Sequence, residues 1–290
     1  MHLLEISRRD LLGLGLATAA ISVTTSALSG PSHAKASAPG RRQVHHHHPE
    51  TAQLSTPGTS PDPPIIPRWA QRWPSPIYNI HDYSARCSRP AFARDAVVLT
   101  VDDGPHPTWT PRYLDLFEHL GVTATFCLIG ANVAKHPRLV REIHERGHTV
   151  ANHTWTHDEA LTTRPRARID REIQETNAAI HDACGVVVRQ FRAPGGVWGP
   201  ALFDALARFH MMPLGWNVDP RDWSRPGTAT IERVMLTAGR HDIVLCHDGG
   251  GDRSETYAAL RYVIPRWKRA GFQFVTLPSP VELSSPLALR

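Results

Sequence analysis

The sequence predicts an α/β protein with a parallel sheet or barrel of about seven strands. From Ala96 to Thr276, short β-branched runs alternate with helix-length amphipathic stretches, the pattern of successive β-α units. The ionisable residues that stand out fall just after the expected strands, the end at which parallel α/β folds bind ligands. No internal repeat interrupts the series.

Each element has its own signal. Ala96 to Val101 is a short β-branched run that reads as the first strand. Thr110-Pro111 opens a helix as N-cap and first helical residue; Leu114, Phe117 and Leu120 recur at helical spacing and Gly121 ends it. Thr123 to Ile129 is the second strand. Pro137 starts a helix with Leu139, Val140 and Ile143 on one side, ending near Gly147, and Thr149 to Ala151 is the third strand. Arg166 to Ala183 is a long helix whose Ile169, Ile173, Thr176 and Ile180 share a face, with Gly185 after its end. A strand at Val188 to Phe191, a helix at Pro200 to Phe209, a strand at Met212 to Val218, a helix at Thr230 to Ala238 and a strand at Asp242 to Cys246 follow. Thr256 to Ala270 is a helix with Leu260, Val263, Ile264 and Trp267 inward, and Phe272 to Thr276 is the final strand.

N-terminal to this series the chain changes character. Ser7-Arg8-Arg9-Asp10-Leu11-Leu12 reads as a twin-arginine export signal, followed by an apolar stretch from Leu11 to Val23 and small residues at Ser32, Ala34 and Ala36 that suit cleavage. The apolar run falls short of the ~20 residues a membrane span needs, so residues 1–36 are expected to be a cleaved signal and no stable membrane anchor is expected. Residues 37–75, rich in Pro, Ser, Thr and Gly, read as a flexible linker, with the His45-His46-His47-His48 run as a solvated tract in it. Trp69, Trp73, Ile77 and Tyr78 mark where the chain first packs, and residues 76–290 form the folded domain. The 290 residues, 41% hydrophobic and 20% charged, are enough for a sizeable core. A net charge of +5 suits an anionic polymer and equally a mildly basic exported protein with no special partner. Neither a nucleic-acid module nor a dense Lys/Arg run is present, which sets nucleic acid aside. Cys87, Cys127, Cys184 and Cys246 form no C-x-x-C pair, and Cys127 and Cys246 lie in apolar runs where a thiol behaves as a small buried hydrophobe, so no essential disulfide is expected.

Five expected strands deliver candidates to one rim: Asp102 and Asp103, His153 and His157, Arg192, Asp219 and Asp222, and His247. His153-x-x-x-His157 puts two imidazoles on one turn if the loop coils helically. With a strand-end carboxylate they make three protein ligands and leave one position open, the arrangement catalytic zinc needs to supply hydroxide at neutral pH. Adjacent strand residues face opposite sides, so of Asp102 and Asp103 one can bind metal while the other faces substrate. Each also has a plainer reading. Asp103-Gly104-Pro105 is good turn chemistry. Arg192 fits a surface position before a turn, Asp219 and Asp222 fit turns around Pro220, and His247 fits a strand cap. Their joint placement at one rim is what favours a site.

The same residues resemble the polysaccharide deacetylases, carbohydrate esterase family four, with its nodulation-protein-B homology domain. Between Ala96 and Leu277 five motifs occur in that family's order: Thr100-Val101-Asp102-Asp103-Gly104, His153-Thr154-Trp155-Thr156-His157, Arg192-Ala193-Pro194-Gly195-Gly196, Asp219-Pro220-Arg221-Asp222-Trp223 and Leu245-Cys246-His247. The resemblance implies a distorted parallel (β/α) barrel and a deacetylase catalytic domain in residues 76–290. It implies that Asp103, His153 and His157 hold zinc, or cobalt or another divalent ion. Asp102 would be the general base and His247 the general acid that protonates the leaving amine. Arg192 would orient Asp102, and Asp222 would support the acid–base network. Trp223 and Leu245 would wall the acetyl pocket, with a backbone N–H near Gly195 as oxyanion donor. Two departures stand out. Val101 occupies a position the family usually gives an aromatic, and Gly195 one that often carries a larger residue such as Tyr, which alters the sugar groove.

The expected function is therefore an exported, metal-dependent hydrolase of N-acetyl groups on N-acetylglucosamine in peptidoglycan or chitin-like chains. Its partners would be the acetylated polysaccharide and the twin-arginine export machinery. An O-acetyl esterase of the acetylxylan type on the same site and a non-catalytic sugar-binding protein are the alternatives. A serine esterase lacks its G-x-S-x-G here, and a two-carboxylate glycosidase would leave His153 and His157 idle.

Overall fold

In the computed structural model, which describes residues 73–87 and 92–278, the strand–helix alternation winds into a sheet of seven strands. The strands are β1 (Ala96–Gly104), β2 (Thr125–Leu128), β3 (Thr149–Asn152), β4 (Gln190–Phe191), β5 (Met212–Pro213), β6 (Ile243–His247) and β7 (Gln273–Phe274). They run in the order β5-β4-β3-β2-β1-β6, with β7 paired to β1, and every pairing is parallel. The two ends of this order meet. After β5 the chain makes an isolated parallel bridge from Val218 to Val244, where Leu245 N–H donates to Val218 O at 2.9 Å. The sheet thus closes into an irregular barrel, as expected for a (β/α) series.

The connecting helices are α1 (Ile80–Arg86), α2 (Trp109–Leu120), α3 (Gly130–Lys135), α4 (Pro137–Glu145), α5 (Arg166–Cys184), α6 (Pro200–Arg208), α7 (Thr228–Met235) and α8 (Ser254–Arg269). The core follows the strand alternation. Val97, Leu99 and Val101 join Phe117, Phe126, Ile173 and Leu260 in the layer between sheet and helices. Ala96 and Val98 join Cys127, Ala151, Leu214 and Ile243 in a second cluster with Trp73, Ile77, Ile80 and Tyr83. Of the residues expected to begin the packed body, Trp73 and Ile77 are buried and Tyr78 is 42% exposed; Trp69 lies outside the described residues. So do the expected signal segment, the four-histidine run and most of the expected linker. Among the described residues no helix is long and apolar enough to cross a membrane, and Cys127, Cys184 and Cys246 form no disulfide.

The expected long helix ends where Gly185 takes φ 76°, and Gly121 ends α2 at φ 59°. Several local expectations need correction. Thr110 does not cap α2: the helix starts at Trp109 after Thr108, and the Thr110 hydroxyl hydrogen-bonds the Asp248 carboxylate instead. Helices α1 and α3 were not expected, being too short for an amphipathic period to show. The strands expected at Val188 to Phe191 and Met212 to Val218 shrink to two residues each. Pro213 offers no N–H to a ladder, and the chain beyond it turns to reach β6.

Candidate active site

The site begins with a break in strand geometry. The register of β1 on β2 shifts between Asp102 and Gly104, and Asp103 sits at φ 73°. Strict alternation would send the two carboxylates to opposite faces; this bulge delivers both to one cavity. Neighbouring backbone fixes the bulge. Asp248 N–H donates to Asp102 O at 3.1 Å, and Asn132 of α3 donates through Nδ2 to Asp103 O at 3.0 Å. Gly104 is required here, because a Cβ would lie 2.5 Å from Asp248 Oδ1.

The His153–His157 loop is not helical. Thr154 and His157 take φ 65° and 58°, and these left-handed turns bring the two imidazoles to a centroid distance of 4.9 Å. With Asp103, three non-glycine residues of one cluster hold a conformation costing on the order of 1–3 kcal/mol each. The loop is restrained from outside. Glu172 of α5, itself buried, accepts from the N–H groups of Trp155 and Thr156 at 2.7 and 2.8 Å, and the first residues of α3 donate to Thr154 O and Trp155 O.

These loops converge three ligand atoms. His153 Nε2 and His157 Nε2 lie 3.5 and 3.3 Å from Asp103 Oδ1, and the candidate ligand atoms of all three residues fall within 4.8 Å of one another. Asp103 Oδ1 is buried without a hydrogen-bond partner. His153 Nδ1 faces the Arg192 carbonyl at 2.9 Å, so it carries the proton and turns the Nε2 lone pair toward the carboxylate. Two electron-rich atoms facing each other at this distance call for a cation between them. Two imidazoles and a carboxylate, one imidazole oriented by a backbone carbonyl, fit a divalent metal. In the absence of a metal, burial pushes the Asp103 carboxyl up, but protonation of His153 in place of that cation, with the fields of His247 and His157, holds it well below the usual range. Burial and the neighbouring His153 lower His157.

Two supported groups flank this cluster. Arg192 is fully buried. Its Nη1 donates to Asp102 Oδ1 at 2.8 Å and to Thr100 Oγ1 at 2.7 Å, and its Nη2 donates to Gly215 O at 2.8 Å. This anchoring leaves Asp102 Oδ2 toward the cluster, 3.7 Å from His153 Nε2. On the other flank His247 Nδ1–H donates to Asp222 Oδ1 at 2.7 Å, while Asp222 Oδ2 accepts from His247 N–H and Thr256 Oγ1, both at 2.9 Å. Burial alone would lower His247; the hydrogen bond and charge of Asp222 raise it to about 9.

A cavity of about 360 Å³ joins these groups. It is lined by Asp102, Asp103, His153, His157 and His247, by Gly195, Trp223 and Leu245, and also by Asp219, Glu159 and Trp216. All ten residues singled out by sequence as catalytic, metal-ligating or substrate-binding thus line the cavity or, like Arg192 and Asp222, hold a residue that does. Asp219 lines it as well, while its Oδ1 accepts from Arg221 N–H in the turn its sequence suggested. A second cavity of about 270 Å³, by the opposite strand ends, includes His144 and His148 but no carboxylate. Sequence reasoning missed Glu159, Trp216, Glu172 and Asp248. Asp248 is fully buried, and burial raises its carboxyl to about 7. Its position directly after His247 was the available signal; the others carry none in sequence.

The polysaccharide deacetylase family profile matches residues 90–213. A chitooligosaccharide deacetylase of Sinorhizobium fredii is 38% identical over 209 residues, which span 68% of this chain and 97% of that protein. The chain belongs to the polysaccharide deacetylase family. A peptidoglycan-N-acetylglucosamine deacetylase of Bacillus cereus is 38% identical over 184 residues, 62% of this chain and 85% of that one. Among solved structures, a mutant of a Bacillus anthracis CE4 family pseudoenzyme, with restored enzymatic activity, superposes with a TM-score of 0.60 at 30% identity over 69% of each chain.

Proposed function

We propose that this polysaccharide deacetylase is an exported, metal-dependent N-deacetylase of N-acetylglucosamine polymers. The observation that carries the reading is the framing of the two-histidine, one-aspartate cluster by an anchored carboxylate and a paired imidazole in one cavity. Amide hydrolysis needs a nucleophile, oxyanion stabilisation and a proton for the leaving nitrogen. A divalent ion held by Asp103, His153 and His157, zinc being the first choice for this donor set, supplies Lewis acidity toward water and the acyl oxygen. Asp102, fixed by Arg192 and with Oδ2 open to the cavity, takes the proton of the attacking water. His247, charged at neutral pH through Asp222, presents Nε2 and gives its proton to the departing amine. Gly195 N–H forms no hydrogen bond with any described residue and borders the cavity, which suits an oxyanion donor. Trp223 and Leu245 give the acetyl methyl an apolar wall.

The relatives named for chitooligosaccharides and for peptidoglycan both support N-acetylglucosamine as the sugar. The protonated His247 favours an amide, whose amine cannot leave without a proton, over an acetylxylan ester. The presence of Asp102 and His247 in one cavity supports an enzyme over a sugar-binding protein on the same scaffold. Acetate release from N-acetylglucosamine oligomers and from acetylxylan tests the reading: release from the oligomers supports it, and release from acetylxylan alone overturns it. Export rests on Arg8-Arg9 and the apolar run after it; replacing both arginines by lysine should retain the protein inside the cell.

A further inference from the structure

Glu159 carries chemistry that the deacetylation step leaves unused. It lies two residues beyond His157, lines the cavity, and is exposed. Its side chain reaches over Gly195, where a Cβ would lie 3.2 Å from Glu159 Cδ and 3.5 Å from Oε1. Gly195, at φ 58°, contributes no side chain there, so a carboxylate occupies the space above it.

The neighbouring acids all have partners. Asp102 is bound to Arg192 at 2.8 Å, Asp222 to His247 at 2.7 Å, Asp158 to Arg164 at 2.7 Å and Glu172 to Arg168 at 2.6 Å. Asp103 faces the two imidazoles, and Asp219 accepts a backbone N–H. Glu159 forms no ion pair or hydrogen bond with any described residue. The cavity, near the lower end of the ~300–1,000 Å³ that small-molecule sites span, suits one sugar unit, so the adjoining units of a polymer pass over the rim that Glu159 occupies. Deacetylation replaces a neutral acetamide by an amine, and a chain already worked on presents ammonium groups beside remaining acetamides.

We infer that Glu159 is a specificity-determining residue that binds the ammonium of a glucosamine unit next to the N-acetylglucosamine being deacetylated. Partly deacetylated chains are then better substrates than fully acetylated ones. The inference rests on the deacetylase reading and deepens it by naming a cationic neighbour as part of the substrate.

The test compares kcat/KM for a fully N-acetylated oligomer with that for an oligomer of equal length carrying one glucosamine beside an N-acetylglucosamine. Acetate release from the fully acetylated oligomer checks the deacetylase reading by itself. At low ionic strength the native protein should favour the mixed oligomer about two- to fivefold, the range an exposed ion pair allows. The preference should shrink as salt screens the pair. In Glu159→Gln, which keeps the shape and the hydrogen-bonding capacity, the ratio should fall to about one. A native protein without the preference, or a Glu159→Gln protein that keeps it, overturns the assignment while leaving the deacetylase reading intact.

Discussion

Asp222 accepts the Nδ1 proton of His247 and thereby decides when that imidazole can act as an acid. The pair raises His247 to about 9, so the charged form persists through neutral pH and is lost as pH rises toward that value. In Asp222→Asn the raising interaction disappears while burial still lowers the group. The alkaline limb of the kcat/KM profile should therefore move to lower pH, and a limb left in place would exclude His247 as the acid. Asp102 and the ligand set separate in the same way. Asp102→Asn should keep its metal and lose ~10²–10⁴-fold in turnover, whereas His153→Ala should lose both metal content and activity. The convergence of these residues on one cavity was legible because the fold puts them at strand ends. The place of Glu172 was not, since a buried carboxylate bracing a turn has the same sequence appearance as a solvated one.

At the scale of elements, long helices could be read from their apolar period and their terminal glycines, as in α5 with Ile169, Ile173 and Ile180 and Gly185 beyond it. The short elements that shape the site could not. Alternation along β1 places Val97, Leu99 and Val101 correctly and fails at Asp103, because the bulge is specified by contacts from α3 and from the loop after β6. Helical coiling of the His153–His157 loop fails for a similar reason: Glu172 takes its amides from across the barrel layer. Glu172→Ala should leave all three ligands present yet weaken metal affinity by ~10–100-fold, measured by competitive chelator titration. An unchanged affinity would show that α5 does not position the loop.

For the whole molecule, barrel closure explains why residues separated by up to 145 positions in sequence act as one site: β6 lies beside β1, so His247 pairs with Asp102 in register. The parallel class and the strand order's functional end were readable from the β-α alternation; the closing bridge between Val218 and Val244 was not, because it joins an irregular segment to a strand. The proposed function requires metal and cavity together. Its most direct test is acetate release from N-acetylglucosamine oligomers by the purified protein before chelation, after chelation, and after zinc is returned. The expected result is release that chelation abolishes and zinc restores. Release at an undiminished rate from protein shown to be free of metal would contradict it.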